Sequence, residues 1–246
     1  MNTSSVRLFA RLALATLAIA SSRVVLAELP QLASIQQIAP TGAEVAADSD
    51  GSIFFGQGVA IDRDDAMVTM PEYGAVPGYT VGRIAIYHRF ASGQWNRVGT
   101  FAPGPDEGFG STVVLKQGTA FFPGAGGIHV YRKKLGAWTQ TATLTLPPGR
   151  PITFGSADSI KYDDGTVIVS AFYTDDFTSM LLVYRLNAAG EVIGRTQLFA
   201  SDTEQVRGLG AQDDLQGDTI VASGNVGNEL SVYVFQRFGS RARLYA

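Results

Sequence analysis

Phe55-Gly56-Gln57-Gly58-Val59-Ala60-Ile61 runs into the polar turn Asp62-Arg63-Asp64-Asp65 and out again as Ala66-Met67-Val68-Thr69-Met70. Apolar residues alternating at period two on both sides of a short charged turn mark two antiparallel strands. Working outward, a Gly- and Pro-rich stretch leads to Arg83-Ile84-Ala85-Ile86-Tyr87-His88-Arg89, a third strand ending in aromatic and basic residues. The turn Ala91-Ser92-Gly93 then gives Trp95-Asn96-Arg97-Val98-Gly99-Thr100-Phe101, a fourth. Four short strands joined by turn chemistry make one antiparallel unit.

The unit recurs. After Phe55-Gly56, the openings are Phe109-Gly110, Phe154-Gly155 and Leu209-Gly210, at spacings of 54, 45 and 55 residues. The hairpin turns are Lys116-Gln117-Gly118, Asp163-Asp164-Gly165 and Gln216-Gly217-Asp218. Their glycines reach the positive φ that tight hairpins need at low steric cost. The third strands end at Tyr131-Arg132, Tyr184-Arg185 and Gln236-Arg237. A period near 50 residues with several short strands per unit predicts an all-β chain. The architecture expected is a β-propeller of about four four-stranded blades, or part of a larger one. The opening glycines are expected where a neighbouring backbone or ring comes close, and Trp95 and Trp138 as apolar anchors between sheets.

The repeat is offset. Residues 33–39 (Ala33-Ser34-Ile35-Gln36-Gln37-Ile38-Ala39) resemble a fourth strand without its first three, and the chain ends in the stub 241–246. This predicts that residues 33–39 supply the outer strand of the last blade and close the ring. The alternatives are an open, truncated ring, which would have no independent function, or completion by a second copy.

Residues 1–27 read as a secretory signal. Arg7 and Arg11 form its positive end, Leu12–Ala20 its apolar core, and Val25-Leu26-Ala27 a cleavage site, with Ala18-Ile19-Ala20 as a second candidate. The apolar run is far shorter than the roughly 20 residues of a membrane span. The domain expected is therefore 28–246, secreted or periplasmic. Removing the signal takes three of the 19 basic residues and none of the 22 acidic ones, moving the formal net charge from −3 to −6. With no basic stripe, nucleic acid is not an expected partner. Cysteine is absent, which excludes disulfides, thiolate metal sites and a Cys nucleophile.

These units resemble the bacterial FG-GAP repeat family of integrin-α-like β-propellers. The resemblance rests on the Phe-Gly openings, the second strand with its turn, and the aromatic-basic end of the third strand, and it covers roughly residues 33–246. It implies a binding or adhesion scaffold. Two departures matter. The family's calcium loop places Asp or Asn at alternating positions over about nine residues, enough oxygens to surround a hard cation. Here that connection is a tight turn, with Asp62, Asp64 and Asp65 as the nearest approach and Asp163-Asp164-Gly165 next. Asp48-Ser49-Asp50-Gly51 lies before the first unit. No calcium or other cofactor is expected. The second departure is number, since related propellers often have about seven blades.

No catalytic set is assigned. There is no Gly-x-Ser-x-Gly elbow and no phosphate loop. His88 and His129 lie on opposite faces of their strands by register, which separates them. The carboxylate pairs Asp106-Glu107, Asp175-Asp176, Asp202 with Glu204, and Asp213-Asp214 keep open a polysaccharide hydrolase or lyase working in a central channel. Arg89, Arg132, Arg185 and Arg237 recur at strand ends, either as a cationic ring or as caps paired to loop acids of the neighbouring blade. The primary expectation is a non-enzymatic scaffold binding a protein or glycan through the loops Pro71–Gly82, Ala102–Gly108, Pro147–Thr153 and Tyr173–Ser179. Its candidate contact residues are Tyr73, Tyr79, Phe172 and Tyr173, because rigid aromatics give large contact area at low entropy cost, and Arg185, whose cation would attract an anionic ligand.

Overall fold

A computed structural model of the chain describes residues 36–42, 54–71, 82–102, 112–155, 159–200, 206–238 and 241–245. All of them belong to one compact unit, Gln36–Ala246. The signal region, the opening Phe109-Gly110, Tyr73, Tyr79 and most of the loops 71–82 and 102–108 lie outside the described residues.

The chain is all-β: among the described residues, 18 strands form four antiparallel sheets. The first sheet is β1 (Val59–Asp62), β2 (Asp65–Met70), β3 (Arg83–Arg89) and β4 (Trp95–Phe101), hydrogen-bonded in chain order. The second repeats it with β5 (Val114–Lys116), β6 (Thr119–Gly124), β7 (Gly127–Lys134) and β8 (Ala137–Leu144). The third holds β10 (Lys161–Asp163), β11 (Thr166–Tyr173), β12 (Ser179–Leu186) and β13 (Val192–Leu198), with the short β9 (Ile152–Phe154) also on β11. The fourth holds β15 (Asp213–Gln216), β16 (Thr219–Val226), β17 (Glu229–Phe238) and β18 (Arg241–Tyr245), with β14 (Val206–Arg207) also on β16.

β18 corrects the offset reading. The last sheet takes its outer strand from residues 241–245, paired Val234↔Tyr245 through Phe238↔Arg241. Residues 36–38 lie instead on the first sheet. The Gln36 side chain accepts from the Trp95 N–H at 2.8 Å and donates to the Trp95 carbonyl at 2.7 Å, as a further strand would. Ile38 packs beside Phe55, Ala66 and Trp95. The edge of β4 has open backbone groups, and the Gln36 amide satisfies those of Trp95.

Register makes the sheets superposable. Asp62↔Asp65, Lys116↔Thr119, Asp163↔Thr166 and Gln216↔Thr219 are the same innermost pair in the four sheets. The inner strands β1, β5, β10 and β15 neighbour one another in that order. Sheets therefore stack face to face in sequence, each junction filled by alternate residues of both partners. Met67, Ile84, Leu115 and Phe122 fill the first junction; Phe121, Ile128, Tyr162 and Val167 the second; Ile168, Leu181, Leu215 and Phe235 the third. Trp138 packs at the first junction, while Trp95 packs on the opposite face of the first sheet. Each fully buried Val, Leu, Ile or Phe side chain contributes roughly 1.5–3 kcal/mol, so these junctions carry the stability that disulfides would otherwise share.

The opening glycines have a common bond. Gly56, Gly155 and Gly210 donate their N–H to the carbonyls of Thr69, Ser170 and Ser223, each on the second strand, at 3.0, 2.8 and 2.9 Å. The hydroxyls of the same three residues also bond to the loop: Thr69 and Ser223 accept from Gly58 N–H at 2.7 Å and Gln212 N–H at 3.1 Å, and Ser170 donates to the Ser159 hydroxyl at 2.8 Å. A side chain would not fit at two of these glycines. A Cβ on Gly155 would sit 2.2 Å from Ser170 Oγ, and one on Gly210 (φ +80°) 2.5 Å from Leu181 of the preceding sheet.

Candidate functional site

Two of the four loops proposed for recognition are described, and they meet. Thr174 N–H donates to the Pro151 carbonyl at 3.1 Å, joining 147–153 to 173–179. Arg150 reaches across the join. Its Nε and Nη2 donate to the two Asp175 carboxylate oxygens at 2.7 and 2.6 Å, and Nη2 also meets Asp176 Oδ2 at 2.6 Å. The guanidinium lies 3.9 Å from the centre of the Tyr173 ring, which also stacks with Phe199. Hydrogen bonds from Arg150 hold both carboxyls below the ordinary range, Asp176 at about 2, and raise the guanidinium further. Exposed ion pairs of this kind add little stability; what they set is loop geometry.

The pinned loop presents Phe177. Its ring is 57% exposed and stacks on Phe172 at 6.1 Å between centroids. Its φ is +61°, a left-handed conformation that costs a non-Gly residue roughly 1–2 kcal/mol. Asp176 Oδ1 accepts from Thr178 N–H at 2.8 Å and closes the turn under it. A strained backbone holding an aromatic ring in water is a candidate contact point. Phe177 and Arg150 were not among the residues singled out from sequence. The available signal was an aromatic inside the polar run Thr174-Asp175-Asp176-Phe177-Thr178-Ser179, with no strand alternation to bury it.

Arg185 does not join this group. Phe172 pairs with Ser179 and Thr166 with Arg185, so Phe172 and Arg185 lie at opposite ends of the third sheet. Six residues of strand separate those ends, about 20 Å. Arg185 is half-buried there, and its Nε has no hydrogen-bond partner.

Nor do the four strand-end arginines form a ring. Arg132 and Arg185 pair with Thr119 and Thr166, but the matching positions of the other sheets are His88 and Gln236. Arg89 stands one residue beyond His88, which by strand alternation turns it to the other face. Arg89 does pair with an acid, but with Asp64 of its own sheet, at 2.9 and 2.7 Å.

Of the calcium-like acids, Asp62, Asp64, Asp65 and Asp163 are engaged, and Asp48 and Asp50 lie outside the described residues. Asp62 accepts from Gly118 N–H of the second sheet at 2.8 Å. Asp65 takes both oxygens' bonds from Lys133 at 2.6 Å and meets His88 Nδ1 at 2.9 Å. They line a concavity of about 390 Å³ with Asp64 and Gly118. Asp163 takes Gly217 N–H and Lys116, which together lower its pKa. Among the described residues no group of three or more His, Asp or Glu side chains could hold a metal ion. His129 is buried against Gln140 and lies on the strand face opposite to that of His88.

One acid is unlike the rest. Asp213 on β15 has a side chain only 1% exposed, its Oδ2 lacks a partner, and Lys161 is 3.7 Å from Oδ1. Burial raises its pKa to about 6 against the pull of Lys161. Such an acid is chemically apt for proton transfer, but it is closed to substrate between two sheets.

No protein-family model matches the chain, and no curated protein is similar to it.

Proposed function

We propose that this chain is an exported, non-enzymatic β-propeller resembling the FG-GAP type, and that it binds a protein or glycan through the rim formed by loops 147–153 and 173–179. The reading is carried by Phe177. An aromatic ring held in solvent by a strained backbone, on a loop clamped by Arg150, Asp175 and Asp176, is what a pre-organised contact surface requires. The sheets beneath supply rigidity, and the rim supplies specificity. The propeller reading is supported by the repeated register and by inner strands that neighbour one another in chain order. Export is supported by the Arg-flanked apolar core at Leu12–Ala20.

The test is an array of glycans and extracellular-matrix proteins probed with the chain from residue 28 onward, with and without calcium. Binding that disappears in both Phe177→Ala and Arg150→Ala, with melting temperatures unchanged, supports the reading. Binding indifferent to both substitutions, or no binding at all, overturns it.

A further inference from the structure

The first and last sheets each leave half of a junction open. At every internal junction the forward face of one sheet covers the rear face of the next. On the rear face, Ile61, Leu115, Tyr162 and Leu215 occupy one register position, immediately before the inner turn pair. The last three are buried; Ile61 is exposed. Val59, two residues earlier, is 68% exposed, while its counterparts Val113 and Ile160 are buried. On the forward face, Ile84, Ile128 and Leu181 are buried, but their counterpart Val232 on β17 is 68% exposed. Val221 is likewise uncovered where Met67, Phe121 and Ile168 are buried.

The outer part of the first of these faces is covered within the chain, where Ile38, Phe55 and Trp95 pack on the buried Val68, Met70, Ala85 and Tyr87; the part left open is the inner strand at Val59 and Ile61. Gln36 sits at the outer strand β4, and Ile38 shares with Val59, Ile61, Ala66 and Val68 the lining of an open groove of about 450 Å³. Gly56 reports the same vacancy. A Cβ there would meet nothing within 4 Å, whereas at Gly210 it would strike Leu181 of the sheet behind.

We propose that two copies of this chain join head to tail, the forward face of the fourth sheet of each covering the rear face of the first sheet of the other. A second copy is the occupant because these two faces are the two halves of a junction that the chain already builds three times. Val59 and Ile61 stand on one and Val221 and Val232 on the other, at positions whose counterparts are buried inside. The polar tie seen at the first and third junctions also has its part: Gln216 occupies the place from which Asp62 and Asp163 accept a backbone N–H of the following sheet. Two such joins related by a two-fold axis close the assembly, so no apolar end remains to propagate a fibre. The result is a ring of eight sheets, within the range of known propellers. The inference rests on the propeller reading above, because only sheets fanned about an axis can close.

Light scattering on the chain from residue 28 onward, from about 1 to 100 µM, should show a dimer that does not grow with concentration. Ile61→Asp and Val232→Asp should each weaken it at least tenfold. Mixing the two variants should restore a heterodimer, because one of its two joins then has both faces intact. A monomeric wild type overturns the pairing, as does concentration-dependent growth into fibres. So does a dimer that survives Ile61→Asp, or one lost in Ile61→Asp but kept in Val232→Asp. Negative-stain images separate this inference from the one beneath it. A small closed ring of four leaves the propeller and removes the pairing; an elongated stack of sheets removes both.

Discussion

Ile61 and Leu115 hold the same register position in consecutive sheets, yet Ile61 is 63% exposed and Leu115 is 7% exposed. The difference lies in what stands behind each strand. Leu115 is covered by the first sheet, through Met67 and Ile84, and among the described residues no sheet lies behind Ile61. Truncating the two should therefore give unequal losses. Leu115→Ala is expected to cost about 2–5 kcal/mol. Ile61→Ala, assayed by denaturant unfolding at a dilution where the chain is monomeric, should stay within about 0.5 kcal/mol of wild type. Equal losses would mean that Ile61 is covered in solution by part of its own chain.

The opening glycines should rank in the same way. Gly210→Ala meets both a positive φ and the Leu181 side chain, and Gly155→Ala drives a methyl into Ser170 Oγ and its bond to Ser159. Gly56→Ala meets only the left-handed backbone, a penalty of roughly 1–2 kcal/mol. Thermal melts should place the Gly210 and Gly155 variants clearly below the Gly56 variant. The reverse order would argue against close sheet packing at these steps.

Asp213 makes stability depend on pH in an unusual direction. Its carboxyl titrates at about 6 in the folded chain against 3.8 in an open one. The folded state therefore holds the proton more tightly, and stability falls as pH rises from about 4 to about 6, then levels. Asp213→Asn should remove that fall and leave the variant more stable at pH 7 by on the order of 1–3 kcal/mol. Unfolding curves at pH 4, 5, 6 and 7 test it. Parallel pH profiles for the two proteins would show that Asp213 ionises at its ordinary value.

Arg150 should act on the rim and not on the fold. In Arg150→Ala, Asp176 loses the hydrogen bond that lowers its pKa most and should titrate nearer the ordinary carboxylate range, which carboxyl NMR reads directly. The melting temperature should hardly move, since the ion pair is half exposed. An unmoved Asp176 would remove the clamp.

Phe177 is a place where stability and contact should part. Phe177→Gly relieves the left-handed strain and should leave stability unchanged or raise it by up to ~1 kcal/mol, while abolishing whatever the rim binds. A large loss of stability would mean that the ring is structural.

Strands, turns and the four-fold repeat of units were legible in the chain because each is written locally. Side-chain alternation has a period of two residues, and a hairpin needs only the four or five residues around its turn. The predicted third and fourth strands of the first unit, 83–89 and 95–101, agree with β3 and β4. The opposite faces of His88 and His129 followed from counting along a strand in the same way. Residues 36–38 and 241–245 were misassigned because a short isolated segment reads alike wherever it packs, and which edge it meets depends on groups distant in sequence.

Every relation between units belonged to the three-dimensional arrangement. Tyr173 and Arg185 share a sheet but stand at its opposite ends, and Arg150 finds Asp175 only because β9 returns along β11. Ile61 and Leu115 read the same in sequence. Burial is a property of what packs on a residue, and that partner comes from another sheet. Period and turn chemistry determine the unit; the order in which the units cover one another determines which faces are left in water.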